Sequence, residues 1–180
     1  MPKLCAACYE VPPTTPPDAR EADLMRLARD GASDSRIQTI ARGLYAMLAE
    51  RLGRTPTREE LVQWLMDAVH LLMDYAPDPP GLEVFQTVQW SIGGECGFSV
   101  SPITGNRKGC GDCEDLATLL VCLCLCLGIT ARVKWIEQKG SPLNHVAALV
   151  LFDDQRPDDP RAWRCTDATI PGARVGETPY

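Results

Sequence analysis

With 180 residues, 45% of them hydrophobic and 23% charged, the chain has the size and composition of one ordinary globular domain, which excludes wholesale disorder. A formal charge of −6 without any basic run argues against a surface that tracks nucleic-acid phosphates. The longest apolar run, Leu119 to Leu127, spans nine residues, where a membrane-crossing helix needs about 20, so no membrane segment is expected.

The chain opens Met1-Pro2-Lys3-Leu4-Cys5, without the apolar core of a secretory signal. Its nine cysteines are an odd number. Together these point to a reducing compartment, the cytoplasm, with most thiols unbonded. Residues 1–19 carry Cys5, Cys8 and four prolines (Pro12, Pro13, Pro16, Pro17) and read as an extended arm ahead of a domain over 20–180. A short helix is expected over Glu21–Asp30. A longer one runs from Asp34 to Leu52, where Ile37, Ile40, Ala41, Leu44, Tyr45, Leu48 and Leu52 recur at helical spacing before Gly53. Thr57-Arg58-Glu59-Glu60 has the capping-box form and opens a helix expected to reach Tyr75, with Ala76-Pro77-Asp78-Pro79-Pro80-Gly81 as its stop. Residues 82–109, rich in glycine, read as a loop lying over the site.

Gly109-Cys110-Gly111-Asp112-Cys113-Glu114-Asp115 leads into a helix ending near Leu127, apolar almost all round and so expected to be buried on every side. Strands follow at Thr130–Glu137, His145–Phe152 and Trp163–Asp167. The second alternates two apolar faces and is expected inside a sheet covered on both sides. Helices first and an antiparallel sheet afterwards make the class α+β, with helices packed on a small antiparallel sheet.

Attack on an amide requires a nucleophile, a base and a group that orients the base. Cys113 stands where a helix begins, and helix-start amides favour a negative sulfur, although Glu114 and Asp115 oppose it. Of the two histidines, His70 falls inside the Thr57 helix as a structural residue, which leaves His145 as the base. Asp167 ends the third strand and can orient the imidazole. An oxyanion site would use the Cys113 amide with a second donor from Gln89 or Trp90.

Gly111-Asp112-Cys113-Glu114-Asp115-Leu116-Ala117, Gly128-Ile129-Thr130-Ala131-Arg132-Val133, His145-Val146 and Trp163 with Asp167-Ala168-Thr169 together resemble the core of the transglutaminase-like superfamily. The resemblance covers roughly residues 57–172. It implies a transglutaminase-like, papain-like core and a Cys113–His145–Asp167 triad. It also implies hydrolysis or acyl transfer through a thioester on Cys113, with a protein or peptide substrate and no cofactor. Tyr75-Ala76-Pro77-Asp78-Pro79 and Leu82-Glu83-Val84-Phe85-Gln86-Thr87 look like the lead-in of transglutaminase-like proteins of tailed phages and Mu-like prophages. That implies a virion context, with the arm docking on other virion proteins. Departures are Val146-Ala147 where an aromatic residue often follows the histidine, and the short stretch after Asp167, which leaves no room for a specificity domain.

Three other readings compete. Cys5, Cys8, Cys110 and Cys113 have a four-thiolate composition suited to zinc. Cys110-Gly111-Asp112-Cys113 has the spacing of a dithiol oxidoreductase. A structural or adaptor piece of a particle would retain the triad unused. Cys122, Cys124 and Cys126 read as core packing, since their positions were expected on different sides of the helix.

Overall fold

The computed structural model of the protein describes residues 8–93, 96, 97, 99–137 and 144–177. In chain order these form β1 (Cys8–Glu10), α1 (Pro17–Ala32), α2 (Ser35–Leu52), α3 (Arg58–Leu72), β2 (Met73–Tyr75), β3 (Val84–Gln86) and α4 (Val88–Gly93). Then come β4 (Gly109–Gly111), α5 (Cys113–Cys126), β5 (Ala131–Glu137), β6 (Asn144–Leu151), a 3₁₀ turn over Pro160–Ala162 and β7 (Trp163–Thr166). The class is α+β.

The proline-rich start does not trail away from the domain. Its Val11 is buried in the core, β1 pairs antiparallel with β3, and Pro17 already occupies the first turn of α1, where a missing N–H is harmless. Arg20 holds the segment down. It is nearly buried, donates to the carbonyls of Thr15 at 3.0 Å and Pro13 at 3.2 Å, pairs with Glu83 at 3.1 Å, and lies over the Trp135 ring. A buried guanidinium requires that many acceptors, and a segment of prolines offers carbonyls without competing donors. The expectation of a separate arm is corrected for residues 8–19; residues 1–7, with Cys5, lie outside the described residues.

The long helices begin and end as their sequences dictate. Asp34 caps α2 by accepting from Arg36 N at 2.8 Å and Ile37 N at 3.3 Å, and Gly53 closes it in the left-handed conformation with φ 65°. Thr57 and Glu60 form the reciprocal box at the start of α3. That helix stops at Leu72, three residues before the expected end. Met73–Tyr75 instead pairs parallel with Gly109–Gly111, so a non-local ladder takes over backbone groups that the helical period would have used. Residues 82–109 likewise hold more order than the glycines suggested: β3, α4 and a bridge between Val100 and Arg107.

α5 is the axis of the molecule. Leu116, Leu119, Leu120, Val121, Cys122, Leu123 and Cys124 are fully buried, and all belong to one hydrophobic cluster running from Val11 to Ala168. Around it stand α1, α2, α3 and α4, with the sheet of order β5-β6-β7, antiparallel throughout. β6 is interior, as its pattern implied. One face of the sheet, carrying Val133, Trp135, Val146, Ala148 and Val150, joins the core with α5. The other is only partly covered: Arg132 and Lys134 are exposed, Leu149, Trp163 and Cys165 are half-buried, and Arg132 lies 4.4 Å over the Trp163 ring. Ala147 and Leu151 are nonetheless buried on that face, so β6 is covered on both sides along part of its length. No described helix is long and apolar enough to cross a membrane.

Candidate active site

The approach to Cys113 is built from glycine because nothing larger fits. A Cβ on Gly109 would coincide with the backbone oxygen of Ser91, and one on Gly111 would overlap the Asp115 carboxylate and the Gln86 amide. β4 therefore passes between α4 and the first turn of α5, and the chain turns at Asp112 to start the helix at Cys113. Cys113 is half-buried there.

β7 pairs with β6 only from Ala148 onward, which leaves the first residues of β6 outside that ladder. The α5 start meets β6 at this place, and the Val146 backbone amide lies close enough to act on the Cys113 sulfur. His145 is the residue before that amide. Its Nε2 lies 2.8 Å from Asp167 Oδ2, immediately past the end of β7. Alternation places His145 with Ala147 and Leu149, opposite the face that α5 covers. Helix start and strand thus meet where β6 runs beyond its pairing with β7. The structure bonds His145 to Asp167 directly and seats Cys113 against the neighbouring amide.

Asp167 is fully buried. Burial alone would raise its pKa, but bonds from His145, from the Thr169 hydroxyl at 2.6 Å and from the Thr169 amide at 2.9 Å outweigh it and hold the carboxyl below its ordinary value. An ionised Asp167 is acceptor-only, so the proton in this bond sits on Nε2, and in the neutral ring Nδ1 carries the lone pair.

The surroundings of the sulfur are acidic. Burial first, then the charges of Glu114 and Asp112, push the Cys113 thiol well above its ordinary value, with only the Val146 amide acting the other way. The thiol donates to Glu114 Oε2 at 3.0 Å. Glu114 itself is pushed up, first by burial and then by Asp112 beside it. Asp112 is raised by burial. Asp115 is raised far above the carboxylate range, again by burial first and then by Asp112. These surroundings favour the thiol form of Cys113. Among the described residues, Asp112, Cys113 and Glu114 are the one set whose ligand-type atoms all lie within 4.8 Å of each other, and they could hold a metal ion.

Gln86 and Gln89, upstream of Cys113, bond at different places. Gln89, on α4, bonds Asp34 Oδ2 at 3.4 Å. Asp34 also acts on Cys122 and Cys126, nine to thirteen residues along α5 and so roughly 14–20 Å from its start at 1.5 Å per residue. Trp90, next on α4, is half-buried. The residue that reaches the Cys113 loop is Gln86, whose Nε2 donates to the Cys110 carbonyl and to Asp115 Oδ2, both at 2.6 Å. Its one signal in the sequence is its place in a short Val84-Phe85-Gln86 strand.

Cys110 is disulfide-bonded to Cys96, which corrects the expectation that both thiols of the Cys110–Cys113 pair stand ready for zinc or dithiol chemistry. Cys8 lies in β1 opposite Gln86. Cys122 and Cys124 are fully buried in the core and Cys126 packs against it, as core packing implied, although Cys122 and Cys126, four residues apart, share a helix face. His70 sits half-buried in the last turn of α3, its pKa lowered by burial and its carbonyl accepting from Lys108 Nζ at 2.6 Å.

Comparison of the chain with protein-family models, curated proteins and solved structures finds no match.

Proposed function

We propose that the protein is a cysteine-dependent enzyme with a transglutaminase-like core, acting on an amide bond of a protein or peptide through a thioester on Cys113. The observation that carries this reading is the 2.8 Å His145–Asp167 bond at the start of β6, where the amide of the next residue, Val146, acts on the Cys113 sulfur. In the proposed reaction His145 Nδ1 takes the thiol proton as the sulfur attacks the carbonyl carbon. The imidazolium, stabilised by Asp167, then gives that proton to the departing amine as the C–N bond breaks. Water or a second amine resolves the thioester. Hydrolysis ranks first because no feature singles out an acceptor amine. With the thiol raised by burial and by its acidic neighbours, the thiolate forms on demand during attack rather than standing as an ion pair.

The test is covalent labelling of the purified protein by a peptidyl acyloxymethyl ketone, read by peptide mass spectrometry. Cys113→Ala is expected to abolish labelling while the melting transition is retained. Label on Cys165, whose thiol is pushed up to about 11 by burial and by Asp167, or on the more acidic Cys126, would count against the mechanism.

One observation favours a second reading. The carboxylates of Asp112 and Glu114 with the Cys113 sulfur form a mixed oxygen and sulfur set of the kind that suits zinc. A stoichiometric metal in the protein as isolated, lost on Asp112→Asn, would replace the nucleophile by a ligand.

A further inference from the structure

Gln86 makes an unusual bridge. Its side-chain amide has two hydrogens; one goes to the carbonyl of Cys110, three residues before Cys113, and the other to Asp115 Oδ2, two residues after it, each at 2.6 Å. The nucleophile is thus bracketed in sequence by the two ends of one amide. Gln86 is 7% exposed and Asp115 3%, so neither bond exchanges with water at small penalty. The turn is closed tightly on the pair, since a Cβ at Gly111 would strike both the Asp115 carboxylate and the Gln86 nitrogen. Gln86 is itself fixed by β3, whose partner β1 is held to the core by Val11.

We propose that Gln86 and Asp115 are positioning residues that lock the Cys110–Cys113 turn, and so set the direction from which the Cys113 sulfur meets a substrate carbonyl. The inference rests on the reading of Cys113 as the nucleophile. Because both amide hydrogens are taken, Gln86 has none to offer a substrate oxygen, which separates this role from that of an oxyanion donor. The lock needs an acceptor at position 115 and not a negative charge, since what it holds is one amide hydrogen of Gln86.

Two variants and two reagents test it. Asp115→Leu removes the acceptor at similar volume, and Asp115→Asn keeps one. Labelling of Cys113 in the full chain is measured with the peptidyl acyloxymethyl ketone, which reacts only with a thiol presented from a set direction, and with iodoacetamide across pH, which reports thiolate availability. Asp115→Leu is expected to slow ketone labelling by about tenfold to a hundredfold, with the iodoacetamide rate and its pH midpoint unchanged. Asp115→Asn is expected to restore ketone labelling. Should Asp115→Leu fail to fold, Gln86→Asn, one methylene too short to span both acceptors, enters the same comparison with the same expected split. Ketone labelling at the unsubstituted rate overturns the lock. So does a parallel loss with both reagents, or failure of both Asp115→Leu and Gln86→Asn to fold, since either describes a merely structural pair. Absence of ketone labelling in the unsubstituted protein instead overturns the proposed function, before any variant is compared.

Discussion

At the scale of single residues, the His145–Asp167 bond sets the proton inventory of the site. Asp167→Asn can present its amide nitrogen to Nε2 and stabilise the other tautomer, so labelling of Cys113 by the peptidyl ketone is expected to fall by about 10²–10⁴-fold without loss of fold. Acid should reach the same bond. With the folded pKa of Asp167 depressed, its stabilising contribution is complete above the ordinary carboxylate pKa of about 3.9 and is lost as pH falls through the lower folded value. Asp78 has the opposite sign. Burial, and then the nearby Asp112, push it up to about 6. Its contribution is present below about 3.9 and is lost as pH rises through 6. Asp78→Asn keeps an acceptor for the Val84 amide, now at 2.5 Å, and removes the charge. Discounted for partial exposure, the variant is expected to be about 1 kcal/mol more stable at pH 7, with the difference vanishing near pH 4. Thermal melts at the two pH values check this.

At the scale of elements, β4 decides where Cys113 stands. It is tied to β2 by its parallel ladder, to β3 by Gln86, and to the preceding loop by the Cys96–Cys110 bond. The cross-link closes a separation of 14 residues, for which chain entropy gives a stabilisation of about 3 kcal/mol. The double substitution of Cys96 and Cys110 to alanine is expected to lose about that much, measured by denaturant unfolding, with Cys113 still reactive to iodoacetamide. Gly109→Ala should do worse, because the methyl group meets the backbone of α4 rather than a side chain able to swing aside. The contrast with α2 is instructive. Asp34 and Gly53 mark its two ends in the sequence because a cap acts on amides and carbonyls of its own turn. No such local mark announces that Met73–Tyr75 leaves the helical period, since its partner strand lies 36 residues further on.

At the scale of the whole molecule, α5 is the element that the other helices and the sheet share. Leu120→Ala in its fully buried middle is expected to cost about 2–5 kcal/mol. Because one cluster joins the helices to the sheet, far-ultraviolet dichroism and tryptophan fluorescence should report the loss at the same denaturant concentration. The sequence by itself determined what depends on near neighbours: the capped starts of α2 and α3, the all-round apolar character of α5, the three alternating strands, and the identity of Cys113, His145 and Asp167 as the residues to examine. Only the tertiary structure decided that the proline-rich start docks on β3, that one sheet face stays partly open, that Cys110 is bonded to Cys96, and that Gln86 rather than Gln89 reaches the turn. Each of these is settled by groups brought together across long stretches of chain. Periodicity and capping report the order within an element, whereas the choice between Gln86 and Gln89 depends on which end of α5 each neighbouring strand or helix packs against.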